Sequence, residues 1–167
     1  MSGRGTPASD AVRRARVAHT IHEFAHDDAP TKGDRRTSWG LEAASALGVS
    51  PGRVFKTLVA RVDDARLVVG VVPVDGELDL KALAAAAGGR RATLAEQAEA
   101  ERATGYVVGG ISPLGGRRRL ITVVDPSALD PATIFVSGGR RGLDIELAGS
   151  DLVTLTGAIV APIARRA

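Results

Sequence analysis

Apolar and polar positions divide the chain into a first half that mixes helices with strands and a second half that is β-rich. Thr6 followed by Pro7 predicts an N-cap and first helical residue, opening a helix to about Val17. His19 to Phe24 reads as a short strand, and Ala25 to Thr37, with Pro30 and Gly33, as a polar loop. Ser38 is placed to cap a second helix that carries Trp39, Leu41, Ala44 and Leu47 and stops at Gly48, with one further turn starting at Ser50-Pro51. Phe55 to Val62 and Leu67 to Val72 predict a hairpin around Asp63-Asp64-Ala65. Pro73 to Leu78 reads as a connection. Asp79 caps a helix through Ala87 that Gly88-Gly89 ends, and a shorter helix covers Leu94 to Ala103 with Glu96, Gln97, Glu99 and Arg102 outward. From Gly105 on, Tyr106–Val108, Leu120–Val124, Thr133–Val136 and Leu143–Leu147 read as strands separated by Gly and Pro. A last helix follows Ser150, and Ala158 to Ile163 reads as a final strand. Helices interleave with strands without strict alternation, which predicts an α+β domain with a mixed, closed or nearly closed sheet. No repeat or linker interrupts it. Residues 1–5 read as a loose tail and 6–166 as one domain.

Composition narrows the chemistry. With 167 residues the chain is long enough to bury a full core without a metal or disulfide staple. It has no cysteine, so disulfides, thiolate metal sites and cysteine nucleophiles are excluded. No apolar run approaches the ~18 residues of a membrane span. The N-terminal residues lack the apolar stretch of a signal peptide, so a cytosolic protein is expected. The formal net charge is only +3, but the cations are 19 Arg against three Lys. Where arginine is so favoured, a lysine that stays can mark a place that needs a compact ammonium. Lys32 and Lys81 lie in polar surroundings, whereas Lys56 sits inside the apolar run Phe55–Val62.

Three open turns could carry a ligand. Gly105-Tyr106-Val107-Val108-Gly109-Gly110-Ile111-Ser112-Pro113-Leu114-Gly115 runs a strand into paired glycines, which can aim bare N–H groups at an oxyanion or phosphate. A tight turn with no ligand explains the same residues equally well. Ser137-Gly138-Gly139-Arg140-Arg141-Gly142-Leu143-Asp144 sets two arginines beside open backbone, which suits phosphate, although a solvated hairpin is the commoner outcome. Arg117, Arg118 and Arg119 follow a third Gly-rich turn, and together the three turns point to one face that grips a polyanion. Lys56 is either an edge-strand charge or a cleft residue, and the arginine bias favours the cleft. His19, His22 and His26 have neither the helical nor the finger spacing of zinc ligands. At most His22 or His26 would line a pocket wall. No Ser-His-Asp set can be picked out from Ser112, Ser137, Asp144 and the histidines.

The segments FKTLV, VVPVDGELDLKAL, TGYVVGGISPLG and TIFVSGGRRGLDIEL, in this order and spacing, closely resemble the YbaK/EbsC family. These are free-standing aminoacyl-tRNA deacylases related to the editing domain of bacterial prolyl-tRNA synthetase. The likeness runs from about Thr6 to Arg166 and is nearest to the Cys-tRNA(Pro) deacylase branch. It implies an α+β fold around a mixed β-barrel and removal of cysteine wrongly attached to proline tRNA. It further implies cleavage by the substrate's own thiol, with no cofactor or metal, and prolyl-tRNA synthetase as a transient partner of enzyme and mischarged tRNA. The family's strand lysine falls on Lys56, its Gly-x-x-x-Pro loop on Gly109–Pro113 and its later motifs on Ser137–Gly139 and Gly142–Asp144. Catalytic contacts are therefore expected from Lys56, Gly109, Gly110, Ile111 and Asp144. Substrate contacts are expected from Phe24, Thr57, Tyr106, Ser112, Pro113, Ser137, Gly138, Gly139 and Arg140. Phe24 stands where relatives can carry a tyrosine, so a hydroxyl is lost there. Two alternatives remain: a deacylase of alanine-specific or broader range that uses water, and a non-catalytic module that binds a nucleotide or RNA end.

Overall fold

The computed structural model describes residues 5–25 and 35–166. His26 and Lys32 lie outside them. The α-helices among the described residues are α1 (Pro7–Ala15), α2 (Arg35–Leu47), α3 (Leu80–Ala86), α4 (Gln97–Thr104) and α5 (Gly149–Thr156). The longer strands are β1 (His19–Glu23), β2 (Phe55–Val62), β3 (Arg66–Pro73), β6 (Ile121–Val124), β7 (Ile134–Arg140) and β8 (Leu143–Leu147). The short ones are β4 (Gly76–Leu78), β5 (Ala92–Leu94), β9 (Ile159–Val160) and β10 (Ala164–Arg166). The α+β class is as expected. Among the described residues the strands form three sheets and no closed barrel: β1-β8-β7, β10-β4 and the mixed five-stranded β5-β2-β3-β6-β9.

Local chemistry sets many of these boundaries. The Thr6 side chain accepts from the Ser9 N–H at 3.0 Å and the Ser9 hydroxyl accepts from the Thr6 N–H at 2.8 Å, a reciprocal cap for α1. Asp79 Oδ1 accepts from the Ala82 N–H at 3.0 Å and caps α3. Asp63 and Asp64 both take positive φ, 54° and 55°, the twist that a tight β2–β3 hairpin requires.

Other boundaries differ from the sequence reading. α2 begins at Arg35, so Ser38 lies within it; two arginines favour helix, and nothing in 35–37 breaks it. α5 begins at Gly149 with Ser150 inside. Leu94 belongs to β5 and not to α4, because Ala92–Leu94 pairs with Ala60–Val62 across the sheet. The expected connection Pro73–Leu78 holds β4, which is paired to the C-terminal strand β10. Pro162, which has no N–H to give a ladder, separates β9 from β10 where one strand was expected. Tyr106–Val108 is a turn and not a strand. In the other direction, Ser137–Arg140 extends β7 across a register shift instead of forming the turn.

The central strands β2 and β3 are buried on both faces, which explains their near-continuous apolar sequence. Phe55, Val59, Val69 and Val71 face a large core shared with Ile134, Val136, Ile145 and Leu147 of β7 and β8. Leu58, Ala60, Val62, Val68 and Val72 face a second core with Leu83 and Ala84 of α3. A third cluster joins Ala43 and Ala44 of α2 to Val54, Val74 and Phe135. A parallel bridge from Val54 to Phe135 ties the start of β2 to β7. That bridge is what brings Lys56 toward the β7–β8 pair.

Candidate active site

Period-two alternation gives the β1-β8-β7 sheet one apolar and one polar face. Register places Ser137 opposite Asp144 and Asp144 opposite His22, so the three stand in one row across the sheet. Beside the row, a cavity of about 90 Å³ opens where β2, the Gly109–Ile111 turn, the β7–β8 turn and α2 meet. By the measure in which one water takes about 10–15 Å³, it holds several waters and thus a small aminoacyl group. Of the expected site residues, Phe24, Lys56, Thr57, Gly109, Ile111, Ser137, Arg140 and Asp144 line it.

Their states differ in ways that matter chemically. Asp144 is 7% exposed, and burial pushes its carboxyl up to about 7. Thr57 Oγ1 is buried without a hydrogen-bond partner among the described residues, the condition of a group that meets its partner in a ligand. The Ser137 hydroxyl oxygen accepts from the Gly139 N–H at 3.2 Å, which leaves its own hydrogen to donate. Arg140 reaches Glu23 at 3.8 Å.

Gly109 has φ 97°, and a methyl group there would lie 2.8 Å from Arg141 Cδ and 3.0 Å from Trp39. At Gly110 a methyl would lie 2.6 Å from Arg140 Cα, so the turn is seated on the backbone of β7. The Gly110 N–H donates to the Val107 carbonyl at 2.9 Å and is committed to the turn. The Gly109 and Ile111 N–H groups have no acceptor among the described residues. They are the donors that remain for an oxyanion, while Gly110 shapes the turn that carries them.

Five further expected contacts do not line this cavity. Tyr106 is buried, and its hydroxyl donates to the Leu114 carbonyl at 2.7 Å; burial raises its pKa to about 12, which keeps it neutral. It therefore braces the Gly turn from behind. Ser112 accepts from the Leu114 N–H at 3.2 Å, and it faces a second cavity together with Pro113. The Gly138 carbonyl accepts from the Thr6 hydroxyl. Gly139 lies against Tyr106. His22 is also outside the cavity wall: its Nε2 meets Glu146 Oε1 at 2.9 Å, and its ring lies 5.3 Å from Phe135. Glu146 also accepts from Thr133 and Arg53; the hydrogen bonds from Thr133 and then His22, with the nearby Arg53 charge, hold its carboxyl below the usual range.

The sequence reading missed Trp39, Glu42 and Arg141, all of which line the cavity. Arg141 stacks on Trp39, guanidinium carbon 4.8 Å from the ring centroid, and the pair closes one side. One signal was available: Trp39 is the only tryptophan and precedes Gly40, whose bare Cα lets α2 press on Val74.

The family model for the aminoacyl-tRNA editing domain matches residues 36–155, most of the described chain and nearly all of this site. The chain belongs to this family. Membership places it among the enzymes that edit aminoacyl-tRNA by deacylation. EbsC of Enterococcus faecalis, provisionally named a Cys-tRNA(Pro)/Cys-tRNA(Cys) deacylase, is 35% identical over 151 residues, 90% of this chain and 88% of that one. The multifunctional Ser/Thr-tRNA deacylase ProXp-y of Escherichia coli is 37% identical over 89 residues, 51% of this chain and 53% of that one. The crystal structure of a hypothetical protein superposes with a TM-score of 0.81, 27% identity and 96% and 100% of the two chains. A structure described as a candidate trans-editing enzyme for prolyl-tRNA synthetase gives 0.78 at 24% identity over 95% of each chain, a likeness of fold. No helix among the described residues of this editing protein is long and apolar enough to cross a membrane.

Proposed function

We propose that the chain is a trans-acting deacylase that removes cysteine from tRNA(Pro), with the substrate's own thiol as nucleophile. The observation that carries this reading is the makeup of the cavity wall. It offers cations, a buried carboxyl and free backbone donors, but among the described residues neither cysteine nor histidine. A nucleophile that arrives with the substrate fits such a wall, and the 35% identity to EbsC supports cysteine as its source.

In the proposed reaction the thiol sulfur attacks its own ester carbonyl and an oxyanion forms. The Gly109 and Ile111 N–H groups face that charge; in other enzymes one such donor is worth roughly 2.7–4 kcal/mol. The carbon–oxygen bond to the terminal ribose then breaks. The thiol proton passes to the ribose oxygen, and cysteine leaves as a thiolactone. Intramolecular attack gains by proximity, up to roughly 7–11 kcal/mol in favourable cases. Lys56 holds the terminal phosphate or the carbonyl end as a positioning charge. Asp144 holds the substrate's amino group, and Thr57 gives its hydroxyl to the ligand. Prolyl-tRNA synthetase, acting as partner, supplies the choice of tRNA.

The test is deacylation of Cys-tRNA(Pro) and of the same tRNA charged with serine, with product analysis, by the native chain and by Lys56→Ala. The reading expects thiolactone from the cysteine substrate, little turnover of the serine one and a large loss in the variant. Equal turnover of both substrates would remove the thiol mechanism, and an unimpaired variant would remove the role of Lys56. A second reading, a broader deacylase that uses water, has the likeness to the Ser/Thr-tRNA deacylase in its favour. It expects free amino acid and comparable rates on serine and cysteine.

A further inference from the structure

The Gly109–Pro113 turn has two sides. Gly109 and Ile111 face the small cavity, whereas Ser112 and Pro113 face a second and larger one, of about 330 Å³. Arg117, Arg118 and Arg119 line this second cavity, and among the described residues no carboxylate does. All three arginines are exposed. Five other arginines find acids: Arg13 meets Asp10, Arg53 meets Glu146, Arg61 meets Glu99, Arg91 meets Asp64 and Arg140 meets Glu23. Arg117, Arg118 and Arg119 make no ion pair with any described residue.

Their backbone is nevertheless fixed. The Arg117 and Arg118 N–H groups donate to the Thr104 and Ala103 carbonyls at the end of α4, at 2.9 and 3.2 Å. Arg119 lies beside Gly157, the C-terminal cap of α5, where a methyl would come within 3.1 Å of its guanidinium. Stabilising those helix ends is part of what a cation does there. It does not use the five N–H donors each guanidinium carries, nor does it account for three adjacent guanidiniums without an acid.

We propose that this groove is a phosphodiester-binding track that receives the backbone of the substrate tRNA as it leaves the cavity. The proposal rests on the reading of the chain as an aminoacyl-tRNA deacylase. The two cavities lie on either side of one turn, so an RNA whose charged end occupies the small one has the groove close at hand, and the far side of the turn presents guanidinium forks, the shape that pairs with phosphate oxygens. The contacts carry no base information. They lend affinity and orientation to any tRNA whose 3′ end is presented.

The test uses an uncharged acceptor-stem hairpin ending in CCA, fluorescently labelled, titrated with the intact chain and with Arg117→Gln/Arg118→Gln/Arg119→Gln between about 50 and 200 mM salt. Three phosphate contacts contribute a slope of about 2.1–2.7 in log K against log salt. The native affinity is therefore expected to fall about 20- to 40-fold more than that of the triple variant over this range. In parallel, deacylation of full-length Cys-tRNA(Pro) is compared with that of a cysteinyl-CCA trinucleotide. The loss is expected on the long substrate, as a raised KM, and not on the short one. Equal salt slopes in the two chains would overturn the proposal. So would an equal loss on both substrates, or RNA binding that needs an added protein partner to respond to these arginines. Absence of deacylation alongside an arginine-dependent salt slope would instead count against the catalytic reading and leave the track standing.

Discussion

Replacing Asp144 with asparagine separates what the carboxyl costs the fold from what it does in the site. Its side chain is 7% exposed, and burial raises its pKa from 3.8 to about 7. Below pH 3.8 the group is protonated in both folded and unfolded chains and affects stability little. Between 3.8 and about 7 the unfolded chain releases the proton and the native chain keeps it. The native state then binds more protons, so stability falls as pH rises through this window and the cost is full above it. At 1.36 kcal/mol per pKa unit the cost reaches at most about 4 kcal/mol. Asp144→Asn removes it. At pH 8 the variant should unfold at a temperature higher by up to about 8–16 °C, taking about 2–4 °C per kcal/mol for a chain of this size. The two melting curves should converge toward pH 4. Activity should move the other way. An amide cannot hold the substrate's ammonium as an ion, and loss of a charged hydrogen bond of about 1.5–3 kcal/mol lowers kcat/KM roughly 10- to 150-fold. Circular dichroism melts from pH 4 to 8, paired with Cys-tRNA(Pro) deacylation, check both halves. Parallel stability profiles, or a variant less stable at pH 8, would refute the argument that desolvation governs this carboxyl.

Three other perturbations have clear signs. Gly110→Ala puts a methyl 2.6 Å from Arg140 Cα, where only backbone can yield, so a loss of about 1–3 kcal/mol is expected in urea unfolding, with reduced deacylation as the turn shifts. Thr57→Val removes a buried hydroxyl that has no partner among the described residues; the free protein should be no less stable in thermal melts, while KM for the charged tRNA rises. Trp39 is the chain's only tryptophan and lines the cavity, so a non-hydrolysable cysteinyl-adenosine analogue should change its emission saturably, and Trp39→Phe should be silent. Saturable inhibition with flat emission would mean that the ligand binds elsewhere.

What the sequence reveals depends on how local the cause is. The caps at Thr6 and Asp79 and the Asp63-Asp64 turn are decided within four residues, and all three are as read. Lys56 was visible because a cation inside an apolar strand conflicts with its neighbours. The strands β4, β5 and β10 are made by backbone partners at least 30 residues away (Ala92–Leu94 on Ala60–Val62, Ala164–Arg166 on Gly76–Leu78), and their own sequence carries little signal. Tyr106–Val108 reads as strand from its side chains, but the Tyr106 hydroxyl is anchored to Leu114 and holds the segment as a turn. Arg141 read as a solvated hairpin residue; its stacking on Trp39 depends on a helix that arrives from a hundred residues earlier in the chain.

The turn at Gly109 and Gly110 has a consequence for how such a site can diversify. Its face toward the cavity is peptide, and the space a side chain would need is taken by Arg141, Trp39 and the Arg140 backbone. Amino-acid preference therefore cannot be rewritten at the turn, because any residue larger than glycine displaces the frame that holds the N–H groups. Variation in what the cavity accepts is left to side chains on the other walls, among them Phe24, Ala43 and Thr57. A library built to retarget the enzyme to another aminoacyl group would place its diversity at those positions and leave the turn unchanged.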